Sequence, residues 1–517
     1  MTMDLSLALE LAAERYPEAA AIISPALRLN YREWNRRVHA VAWQLSLLGV
    51  KPGDYVAICT SGGEAPLTMY FAVMRLGAVA VMLNARWKHR DIGCALRETQ
   101  AKIILFDEET KEEVWLAAVA AERQPYLVQA CASKGAKEKV FNYFEWAEAY
   151  SRPFPGCASP VSEAGTILYT SGTTGRPKGV CRSAASDFAG ALGIIMEHGW
   201  ERFERILMVM PVYHTMGLHT LISMVLLNGA MVIPEKGGAG EYLHFIEKEK
   251  VTALYLIPTV YHDLVRQGKH GKANTVRKLA YAGAPMSASL AAQCTGLFSP
   301  EIFANHYGCT EMLCITVNRN VPENPLSAGR PGLFSSLRVV PAARGRRVLP
   351  HELLLPGEVG EIIVSTSSPQ AFDGYFRQPE LTRAVVRKGW YFTGDLGYVD
   401  ESGDLYLLGR VDDMIISGGE NIYPAEVEAV LTEHPEVREA AVVGEPDARW
   451  GERVAAFIVP ESAGLTGKEL EQFCLQSPRL ARFKRPRRYI FVEEIPKTAG
   501  GKILRSVLRA ALLDNKI

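Results

Sequence analysis

The sequence lacks a net charge and lacks closely spaced cysteine pairs. Its 57 Lys and Arg residues balance 57 Asp and Glu residues, so nothing indicates nucleic acid or an acidic membrane surface as the main partner. Nine cysteines are scattered along the chain without a Cys-x-x-Cys pair, and Cys309 and Cys314 do not have the spacing of metal ligands. We therefore expect reduced thiols and a cytoplasmic protein.

The sequence also lacks an apolar run that could cross a membrane. Its most hydrophobic stretch, residues 66–85, contains Arg75 and a Gly77 break, which predicts a buried helix followed by a strand. The first residues carry no basic segment and no cleavage-type end, so we expect no secretory signal.

A Walker A loop is absent, although residues 166–180 contain another glycine-rich loop. Residues 166–170 read as a strand, and three glycines, several hydroxyls and Lys178 follow it. Small residues let backbone N–H groups turn inward, and hydroxyls and an ammonium add donors, which is the chemistry that surrounds a polyphosphate. A flexible surface turn is the competing interpretation of such a composition.

The 517 residues are too many for one core, so two to four domains or subdomains are expected. Strand-like apolar runs alternate with helical segments, which predicts α/β layers with largely parallel sheets. The strand-like runs are residues 55–59, 102–106, 206–210, 230–234 and 251–257.

After about residue 330 the pattern changes. Short strands punctuated by Gly and Pro at 337–340, 360–364 and 404–408 predict a smaller β-rich subdomain. We therefore predict a large N-terminal domain, residues 1–410, and a small mobile α+β C-terminal domain, residues 411–517.

Five motifs occur in one order along the chain and together carry a family resemblance. They are Tyr-Thr-Ser-Gly-Thr-Thr-Gly at 169–175, Tyr-Gly-Cys-Thr-Glu at 307–311, Tyr-Phe-Thr-Gly-Asp at 391–395, Gly-Arg-Val-Asp-Asp at 409–413 and Pro-Lys-Thr-Ala-Gly-Gly-Lys at 496–502. Nearly the whole chain resembles the adenylate-forming superfamily, which includes acyl- and aryl-CoA synthetases, peptide-synthetase adenylation domains and luciferases. The 4-chlorobenzoate-type aryl-CoA ligases are the most similar group.

The resemblance implies an ATP site with Mg²⁺ held by Glu311 and Thr310 near the α-phosphate. It implies that Lys502 reaches the α-phosphate and the acid, and that Asp395 accepts from the ribose hydroxyls with Arg410 nearby. Alone, Glu311 and Lys502 would be solvated charges, and Asp395 would cap a turn. The implied ATP- and AMP-binding residues are Thr170, Ser171, Gly172, Thr173, Thr174, Gly175, Lys178, Gly283, Ala284, Pro285, His306, Tyr307, Gly308, Cys309, Asp395 and Arg410.

The same resemblance implies a coenzyme A site in the C-terminal domain. A glycine turn would line a channel for the pantetheine arm, aromatic rings would flank the adenine, and guanidinium groups would suit its phosphates. The implied residues are Ser417, Gly418, Gly419, Glu420, Trp450, Phe483, Arg485 and Arg487. Phe483 could instead be a core residue and its basic neighbours a solvated face.

An acid pocket is implied around His214, which would lie near the carboxylate and take part in catalysis with Thr310, Glu311 and Lys502. The implied pocket residues are His214, Thr215, Met216, Tyr255, Ala282, His306, Leu313 and Cys314. Leu313, Cys314 and His306 differ from the chlorobenzoate enzymes, which leaves the ring substituent, or the ring itself, open.

We therefore predict an ATP-dependent carboxylate–CoA ligase that forms acyl-AMP and then acyl-CoA, with a benzoate-type acid as its substrate. ATP, Mg²⁺ and coenzyme A are the expected cofactors and co-substrates, Asp412 is the expected hinge, and a homodimer is plausible. The alternatives are a fatty-acyl- or succinylbenzoate-CoA ligase, an adenylation enzyme that loads a carrier protein, and a luciferase-like oxygenase.

Overall fold

The structure is a computed structural model of the chain. It describes residues 5–121, 124–131, 140–149, 152–155, 165–171, 177–234, 237–268, 275–342, 348–462, 464–497 and 503–513. Across these ranges no helix combines the length and the apolar character that crossing a membrane requires.

The helices are α1 (Leu5–Arg15), α2 (Tyr31–Leu47), α3 (Ala65–Arg75), α4 (His89–Thr99), α5 (Lys111–Val119), α6 (Tyr143–Glu148), α7 (Ala184–His198), α8 (Thr215–Leu227), α9 (Ala239–Lys248), α10 (Pro258–Gln267), α11 (Ala288–Phe298), α12 (Pro379–Val385), α13 (Pro424–Leu431), α14 (Gly467–Gln476) and α15 (Arg505–Leu513).

The strands are β1 (Ala20–Ile23), β2 (Arg28–Asn30), β3 (Tyr55–Cys59), β4 (Val79–Met82), β5 (Ile103–Phe106), β6 (Tyr126–Gln129), β7 (Val140–Asn142), β8 (Thr166–Ser171), β9 (Pro177–Arg182), β10 (Arg205–Leu207), β11 (Ala230–Val232), β12 (Ala253–Leu256), β13 (Lys278–Ala282), β14 (Ile302–Cys309), β15 (Leu313–Asn318), β16 (Arg330–Pro331), β17 (Leu337–Val340), β18 (Gly360–Ser365), β19 (Gly374–Tyr375), β20 (Val386–Arg387), β21 (Trp390–Val399), β22 (Leu405–Arg410), β23 (Ile415–Ser417), β24 (Glu420–Ile422), β25 (Val437–Asp447), β26 (Gly451–Pro460) and β27 (Arg488–Phe491).

The chain divides into two compact units. The first unit comprises Met1–Ser336 and Ser365–Gly389, and the second comprises Leu337–Val364 and Trp390–Ile517. This division groups the β-rich segment with the C-terminal part of the chain, and the domain boundary after Arg410 stays a prediction.

Two sheets organise the first unit. One has nine strands in the order β16-β15-β14-β13-β12-β10-β11-β1-β2, and the other has eight in the order β19-β9-β8-β4-β3-β5-β6-β7. Their central strands are parallel, and antiparallel pairs such as β8 with β9 and β14 with β15 lie toward the sheet ends. The predicted α/β class is therefore confirmed.

Alternation along β3 explains how the eight-stranded sheet is covered on both faces. Val56 and Ile58 belong to a core cluster that also contains residues of the nine-stranded sheet and of α2, α3 and α8. Ala57 and Cys59 belong to a second cluster with residues of α4 and α5. Because successive side chains of a strand point to opposite faces, one apolar strand supplies two cores.

The second unit contains two smaller sheets. Four of its strands lie in the order β17-β18-β21-β22, and the other sheet has the order β24-β23-β26-β25 with β27 beside β26. Helix α14 begins at a capping box in which Thr466 and Glu469 each accept from the other's backbone N–H. Its buried Leu470 and Cys474 pack on the core of the second sheet.

Candidate active site

The predicted phosphate loop joins the antiparallel strands β8 and β9, where Thr170 is the register partner of Lys178. Gly172, Thr173, Thr174 and Gly175 lie outside the described residues, and so does the side chain of Ser171. The Oγ1 of Thr170 is buried, and no partner for it occurs among the described residues. The structure therefore places the two ends of the predicted loop side by side.

Glu311 lies in a polar cluster with Lys178 and with Tyr375 of β19. The Nζ of Lys178 donates to Oε1 of Glu311 at 3.1 Å, and the hydroxyl of Tyr375 donates to the same oxygen at 2.6 Å. The Nζ of Lys178 also lies 2.7 Å from the Tyr375 hydroxyl and 4.3 Å from the centre of its ring. Two residues predicted for the ATP site are thus in direct contact, and Tyr375 joins them.

The electrostatics of this cluster keep Glu311 ionised. Burial acts to raise the pKa of its carboxyl, but the charge of Lys178 and the hydrogen bonds from Tyr375 and Lys178 leave that pKa below its ordinary value. An ionised carboxylate is a suitable ligand for Mg²⁺. The described residues contain no group of three or more His, Cys, Asp or Glu side chains that could hold a metal ion, so water or phosphate oxygens would supply the other ligands of such a site.

A buried ionic network lies behind the chain at Thr310. The guanidinium of Arg182 donates to Oδ1 of Asp187 at 2.6 Å, to the carbonyl of Thr310 at 3.1 Å and to the carbonyl of Gln370 at 3.2 Å. His219 lies with Nε2 3.2 Å from the same Asp187 oxygen. The side chains of Arg182, Asp187 and His219 are completely buried, so the network fixes the backbone that carries Thr310 and Glu311.

Gly308 has a steric reason to be glycine. A Cβ built on it would lie 1.5 Å from the carbonyl oxygen of Leu313, in the turn between β14 and β15. Leu313 itself has φ of 52°, which is unusual for a leucine, and the strand register shifts between Tyr307 and Gly308. The Tyr-Gly-Cys-Thr-Glu motif therefore forms a tight, strained connection that no larger residue at 308 could make.

Two groups of the predicted ATP- and AMP-binding residues lie at the carboxyl ends of two neighbouring parallel strands. Gly283, Ala284 and Pro285 come directly after β13, and His306 to Cys309 end β14. Gly283 has φ of 87°, which a glycine adopts without strain. The carboxyl ends of parallel strands are the usual place for a ligand in an α/β sheet.

Four of the predicted pocket residues are linked by register and hydrogen bonds. Ala282 and His306 are register partners on β13 and β14, and the hydroxyl of Tyr255 lies 3.0 Å from Nδ1 of His306. His306 is also hydrogen-bonded to the backbone of Leu313, and Cys314 is buried beside it in sequence. Burial lowers the pKa of His306 to about 4, so its ring is neutral at pH 7.

His214 is the N-cap residue of α8, immediately before Thr215 and Met216. Its Nε2 is buried and has no partner among the described residues. Burial, followed by the charge of Arg86, lowers its pKa to about 4. A neutral imidazole at a helix N-terminus can offer a hydrogen bond to an anionic group without carrying its own charge.

In the second unit, Asp395 and Arg410 are register partners on β21 and β22. The Nη1 of Arg410 donates to Oδ1 of Asp395 at 2.6 Å and to the carbonyl of Thr393 at 2.8 Å. Gly394 has φ of 71°, and a Cβ on it would lie 2.8 Å from Nη2 of Arg410. The predicted ribose-binding pair is thus formed, and the Thr-Gly-Asp motif leaves room for the guanidinium.

The predicted coenzyme A turn is a two-residue hairpin loop between β23 and β24. Gly418 and Gly419 have φ of 60° and 88°, which is typical of a type I′ turn and matches the Ser417–Glu420 register. The N–H of Gly418 donates to the carbonyl of Trp450 at 2.8 Å, and the ring of Trp450 lies against Gly418. The turn and one predicted adenine-flanking ring are therefore in contact.

The other predicted coenzyme A residues differ in how they are held. Phe483 is 43% exposed, so it is not a core residue. Arg485 donates to Glu471 at 3.0 Å, whereas the side chain of Arg487 is exposed. An exposed ring and an exposed guanidinium are available to a ligand, and Arg485 would have to share its charge with Glu471.

The predicted hinge residue Asp412 lies in a 3-10 turn, Val411–Asp413. Its carbonyl accepts from Nη2 of Arg509 at 3.2 Å, and the same nitrogen donates to Asp413 at 3.1 Å. Arg505, also on α15, makes two hydrogen bonds to the carboxylate of Glu428. Lys502 lies outside the described residues.

Several residues that contact the predicted site were missed by the sequence reasoning. Tyr375 is 64 positions from Glu311 and lies in an Asp-Gly-Tyr segment that looks like an ordinary turn. Arg182 and Asp187 lie outside the five motifs, and no sequence pattern distinguishes a buried ion pair from an exposed one.

Comparison with known proteins identifies the family of the chain. The profile of the AMP-binding enzyme family matches residues 9–376, and that of the AMP-binding enzyme C-terminal domain matches residues 426–502. Among curated proteins, a feruloyl-CoA synthase from Amycolatopsis sp is 34% identical over 504 residues, which is 96% of each chain. A 2-succinylbenzoate–CoA ligase from Bacillus mycoides (strain KBAB4) is 32% identical over 497 residues, 95% of this chain and 96% of that protein.

Solved structures with the same architecture include enzymes with bound nucleotide. The ATP-bound MatB from Rhodopseudomonas palustris superposes with a TM-score of 0.88 at 27% identity over all of both chains. The o-succinylbenzoate CoA synthetase from Bacillus subtilis, in complex with its acyl-adenylate intermediate, has a TM-score of 0.83 at 28% identity over 97% of each chain. The chain therefore belongs to the AMP-binding enzyme family and is an adenylate-forming acid–CoA ligase.

Proposed function

We propose that this ligase activates an aryl acid, in two half-reactions served by the residues predicted from its motifs. In the first, a carboxylate oxygen attacks the α-phosphorus of ATP, the α–β bond breaks, and pyrophosphate leaves with the acyl-AMP still bound. In the second, the thiol of coenzyme A attacks the acyl carbon, loses its proton, and displaces AMP.

The observation that carries the adenylation step is the Lys178–Tyr375–Glu311 cluster at the end of the phosphate-loop hairpin. Glu311 would hold Mg²⁺, which screens phosphate charge, and the Lys178 ammonium would face the phosphates or neutralise Glu311 when ATP is absent. Thr310 would lie near the α-phosphate, on a backbone fixed by Arg182. Lys502 would stabilise the charge that develops as pyrophosphate leaves.

Three features support an aryl acid. The feruloyl-CoA synthase and the 2-succinylbenzoate–CoA ligase are named for acids that contain an aromatic ring. The pocket face of the nine-stranded sheet carries the stacked rings of Tyr255 and His306, whose centres are 5.8 Å apart with an angle of 14° between planes. Ala282, the register partner of His306, carries only a methyl group beside these rings, which would suit a planar substrate.

For the second half-reaction, the Gly418–Gly419 turn and the ring of Trp450 would bind the pantetheine arm and the adenine. Phe483 and Arg487 would complete that site, with Arg485 shared between the phosphates and Glu471. Residues 411–517 would act as the mobile domain and turn about Asp412, so that Lys502 serves only the first half-reaction.

A panel of carboxylic acids, each assayed for coenzyme A-dependent AMP release, tests the proposal. We expect benzoate- and cinnamate-type acids to have the highest kcat/KM. High turnover of fatty acids with flat, low values for aryl acids would show a fatty-acyl-CoA ligase instead. Transfer from acyl-AMP to a carrier protein, with none to free coenzyme A, would show a carrier-loading enzyme. A cytoplasmic location and a homodimer remain part of the proposal, and sedimentation of the purified chain tests the dimer.

A further inference from the structure

The far end of helix α7 places unpartnered polar atoms against the acid-pocket face. His198, the last residue of α7, is 1% exposed, and Trp200 is 4% exposed. Both ring nitrogens of His198 and the Nε1 of Trp200 are buried, and none of these atoms has a hydrogen-bond partner among the described residues. Buried polar atoms are nearly always hydrogen-bonded, so this group of three requires an explanation.

These atoms adjoin residues already assigned to the acid pocket. The ring of His198 lies 4.7 Å from that of Tyr255 and 5.6 Å from that of His306, and the ring of Trp200 lies 5.2 Å from that of His198. Tyr255 pairs in register with Ala280, and Ala282 pairs with His306. Because alternate residues of a strand share a face, these side chains lie on the same side of the sheet.

The position of His198 along α7 makes it the distal end of the pocket. Near the start of the helix, Asp187 contacts His219 of α8, and further along, Ser223 of α8 bonds to Ala191. The two helices therefore run in the same direction, and His214, at the start of α8, lies at the opposite end from His198. Eleven residues separate Asp187 from His198, a rise of about 16 Å.

Hydrogen bonding leaves a defined set of donors and acceptors at this end. His306 is bonded through its ring to the backbone of Leu313 and through Nδ1 to the Tyr255 hydroxyl. The bond to Leu313 acts to raise the pKa of His306, so the ring donates to the Leu313 carbonyl; we therefore assign the proton to Nε2, and Nδ1 accepts from Tyr255. A neutral His198 supplies one donor and one acceptor, Trp200 supplies a donor, and the Tyr255 oxygen can accept again.

We propose that His198, with Trp200 and Tyr255, recognises a hydroxyl group on the substrate ring, at the end opposite the carboxyl that is activated. A phenolic hydroxyl both donates and accepts, so it can bond to the imidazole acceptor and to the indole donor together. The proposal rests on the aryl-acid function above and specifies its substrate class as elongated hydroxyaryl acids. Because His214 precedes His219 on α8 and His219 contacts Asp187, the separation between His214 and His198 along the helices exceeds the rise of about 16 Å from Asp187 to His198, which favours a cinnamate-length acid over a benzoate.

The charge at this end argues against a second carboxylate. The side chains of His198, Trp200, Tyr255 and His306 are neutral, and Arg319, whose Nη2 would lie 3.5 Å from a Cβ on Gly199, is exposed. Burial, and then the neighbouring His306 and Arg319, hold the pKa of His198 well below its ordinary value, so its ring stays neutral. An anionic group would lose its hydration without gaining a buried counter-charge.

Matched substrate pairs test the proposal with the full-length enzyme. The value of kcat/KM for CoA-dependent AMP release is measured for cinnamate, 4-hydroxycinnamate and 4-carboxycinnamate, and for benzoate and 4-hydroxybenzoate. We expect 4-hydroxycinnamate to exceed cinnamate by about 10- to 100-fold, because cinnamate leaves buried polar groups unpaired. We expect 4-carboxycinnamate to fall below cinnamate, and the benzoate pair to differ less.

Variants locate the effect. We expect His198→Phe to lower kcat/KM for 4-hydroxycinnamate, so that it exceeds kcat/KM for cinnamate by no more than about 3-fold. His198→Gln keeps a donor and an acceptor, so we expect it to retain part of the preference for 4-hydroxycinnamate. His262→Phe, at an exposed histidine, is the control that leaves the ratio unchanged. If His198→Phe does not fold, Trp200→Phe and Tyr255→Phe each remove one polar group and are expected to lower the ratio.

Several results would overturn the inference. They are equal values for cinnamate and 4-hydroxycinnamate in the natural enzyme, an unchanged ratio in His198→Phe, or activity confined to linear fatty acids. If no acid is turned over with coenzyme A, the proposed function fails, and calorimetric binding of 4-hydroxycinnamate against cinnamate then decides the inference separately. Tighter binding of the hydroxylated acid that depends on His198 would support it, and equal binding would refute it.

Discussion

Arg182 and Asp187 form an ion pair with no exposed surface, in which Nε of the arginine lies 2.6 Å from Oδ1 of the aspartate. The same guanidinium holds the carbonyl of Thr310, one residue before the proposed Mg²⁺ ligand. Burial acts to raise the pKa of Asp187, but Arg182 and His219 hold it at about 2, so the pair is ionised throughout the physiological range. The Arg182–Asp187 pair therefore supports the backbone of the motif at 307–311, from which it is distant in sequence.

Arg182→Gln leaves Asp187 as a buried charge without its main partner, and we expect the free energy of unfolding to fall by about 3–5 kcal/mol. We also expect ATP–pyrophosphate exchange to be lost in the folded fraction, since the Thr310 carbonyl loses its donor. Urea denaturation and the exchange assay measure both. Arg383→Gln, which breaks an exposed pair with Glu380, should change stability by less than about 1 kcal/mol. Equal losses in the two variants would contradict the assignment.

Tyr375→Phe removes only the hydroxyl that bonds to Glu311 and Lys178. We expect a stability loss of about 1 kcal/mol and a several-fold rise in the Mg²⁺ concentration needed for half-maximal ATP–pyrophosphate exchange, because Glu311 loses one of the groups that orient it. Titration of the exchange reaction with Mg²⁺ measures the shift. Tyr398→Phe is the matched control: Tyr398 lies in the second unit, where its ring stacks on that of Tyr406. An unchanged Mg²⁺ titration would remove Tyr375 from the proposed site.

Lys502→Ala tests the division between the two half-reactions. We expect adenylation to fall by about 100-fold or more, because the developing phosphate charge loses its cation, while thioester formation from supplied acyl-AMP stays near the natural rate. The two half-reactions are measured separately, by pyrophosphate release and by acyl-CoA formation. Equal losses in both would contradict the proposed role of Lys502.

Gly418→Ala tests the coenzyme A turn. The alanine would have to keep the backbone φ of 60°, which strains an L-residue. Its Cβ would lie 2.8 Å from Cε3 of Trp450, so we also expect the ring to be displaced. We predict a raised KM for coenzyme A with little change in ATP–pyrophosphate exchange. Gly403→Ala is the control for backbone strain alone. Residue 403 has φ of 89°, so alanine there should destabilise the fold by a similar amount, about 1–2 kcal/mol, but its Cβ would meet no other atom. A similar KM for coenzyme A in both variants would show that the turn does not bind coenzyme A.

His214 makes stability depend on pH. Its pKa is lowered from 6.5 to about 4 in the folded chain by burial and then by Arg86, so between those values the unfolded chain binds more protons. The free energy of unfolding is therefore expected to fall as pH decreases, by about 2 kcal/mol from this group between pH 7 and pH 5. Denaturation of the natural chain and of His214→Gln at both pH values measures this, and His262→Gln serves as the exposed control. An equal pH slope in His214→Gln would contradict the assignment.

Much of the fold could be predicted because its strands and helices carry local patterns. The strand at 55–59 was predicted at its observed bounds, and helix α2, Tyr31–Leu47, begins at a capping box formed by Asn30 and Glu33, which is a local signal of the same kind. The predicted strand at 206–210 was too long, since only Arg205–Leu207 pairs in the sheet. An apolar run does not reveal where hydrogen bonding between strands stops.

The candidate site was less predictable. Glu311 and Lys178 could be identified because each lies in a motif, but their contact could not, since 133 positions separate them. No local sequence pattern marks Tyr375 or His198. The role proposed for Tyr375 comes from its hydrogen bond to Glu311, and the role proposed for His198 comes from its ring nitrogens, which have no partner among the described residues. Long-range pairing of polar groups is a property of the tertiary structure, and composition does not encode it.

The turn that joins β14 to β15 has a consequence for anyone who wishes to alter the acid that this enzyme accepts. Leu313 keeps its carbonyl where a side chain at 308 would have to be, and Gly190 would meet the Leu313 side chain at 2.1 Å if it gained a Cβ. A side chain at 308 therefore disrupts the turn, and a side chain at 190 requires the side chains of Leu313 and His219 to move. Diversity is better introduced at His198, Trp200 and Tyr255, whose polar atoms set the proposed preference, and each new side chain there must fill a similar buried volume.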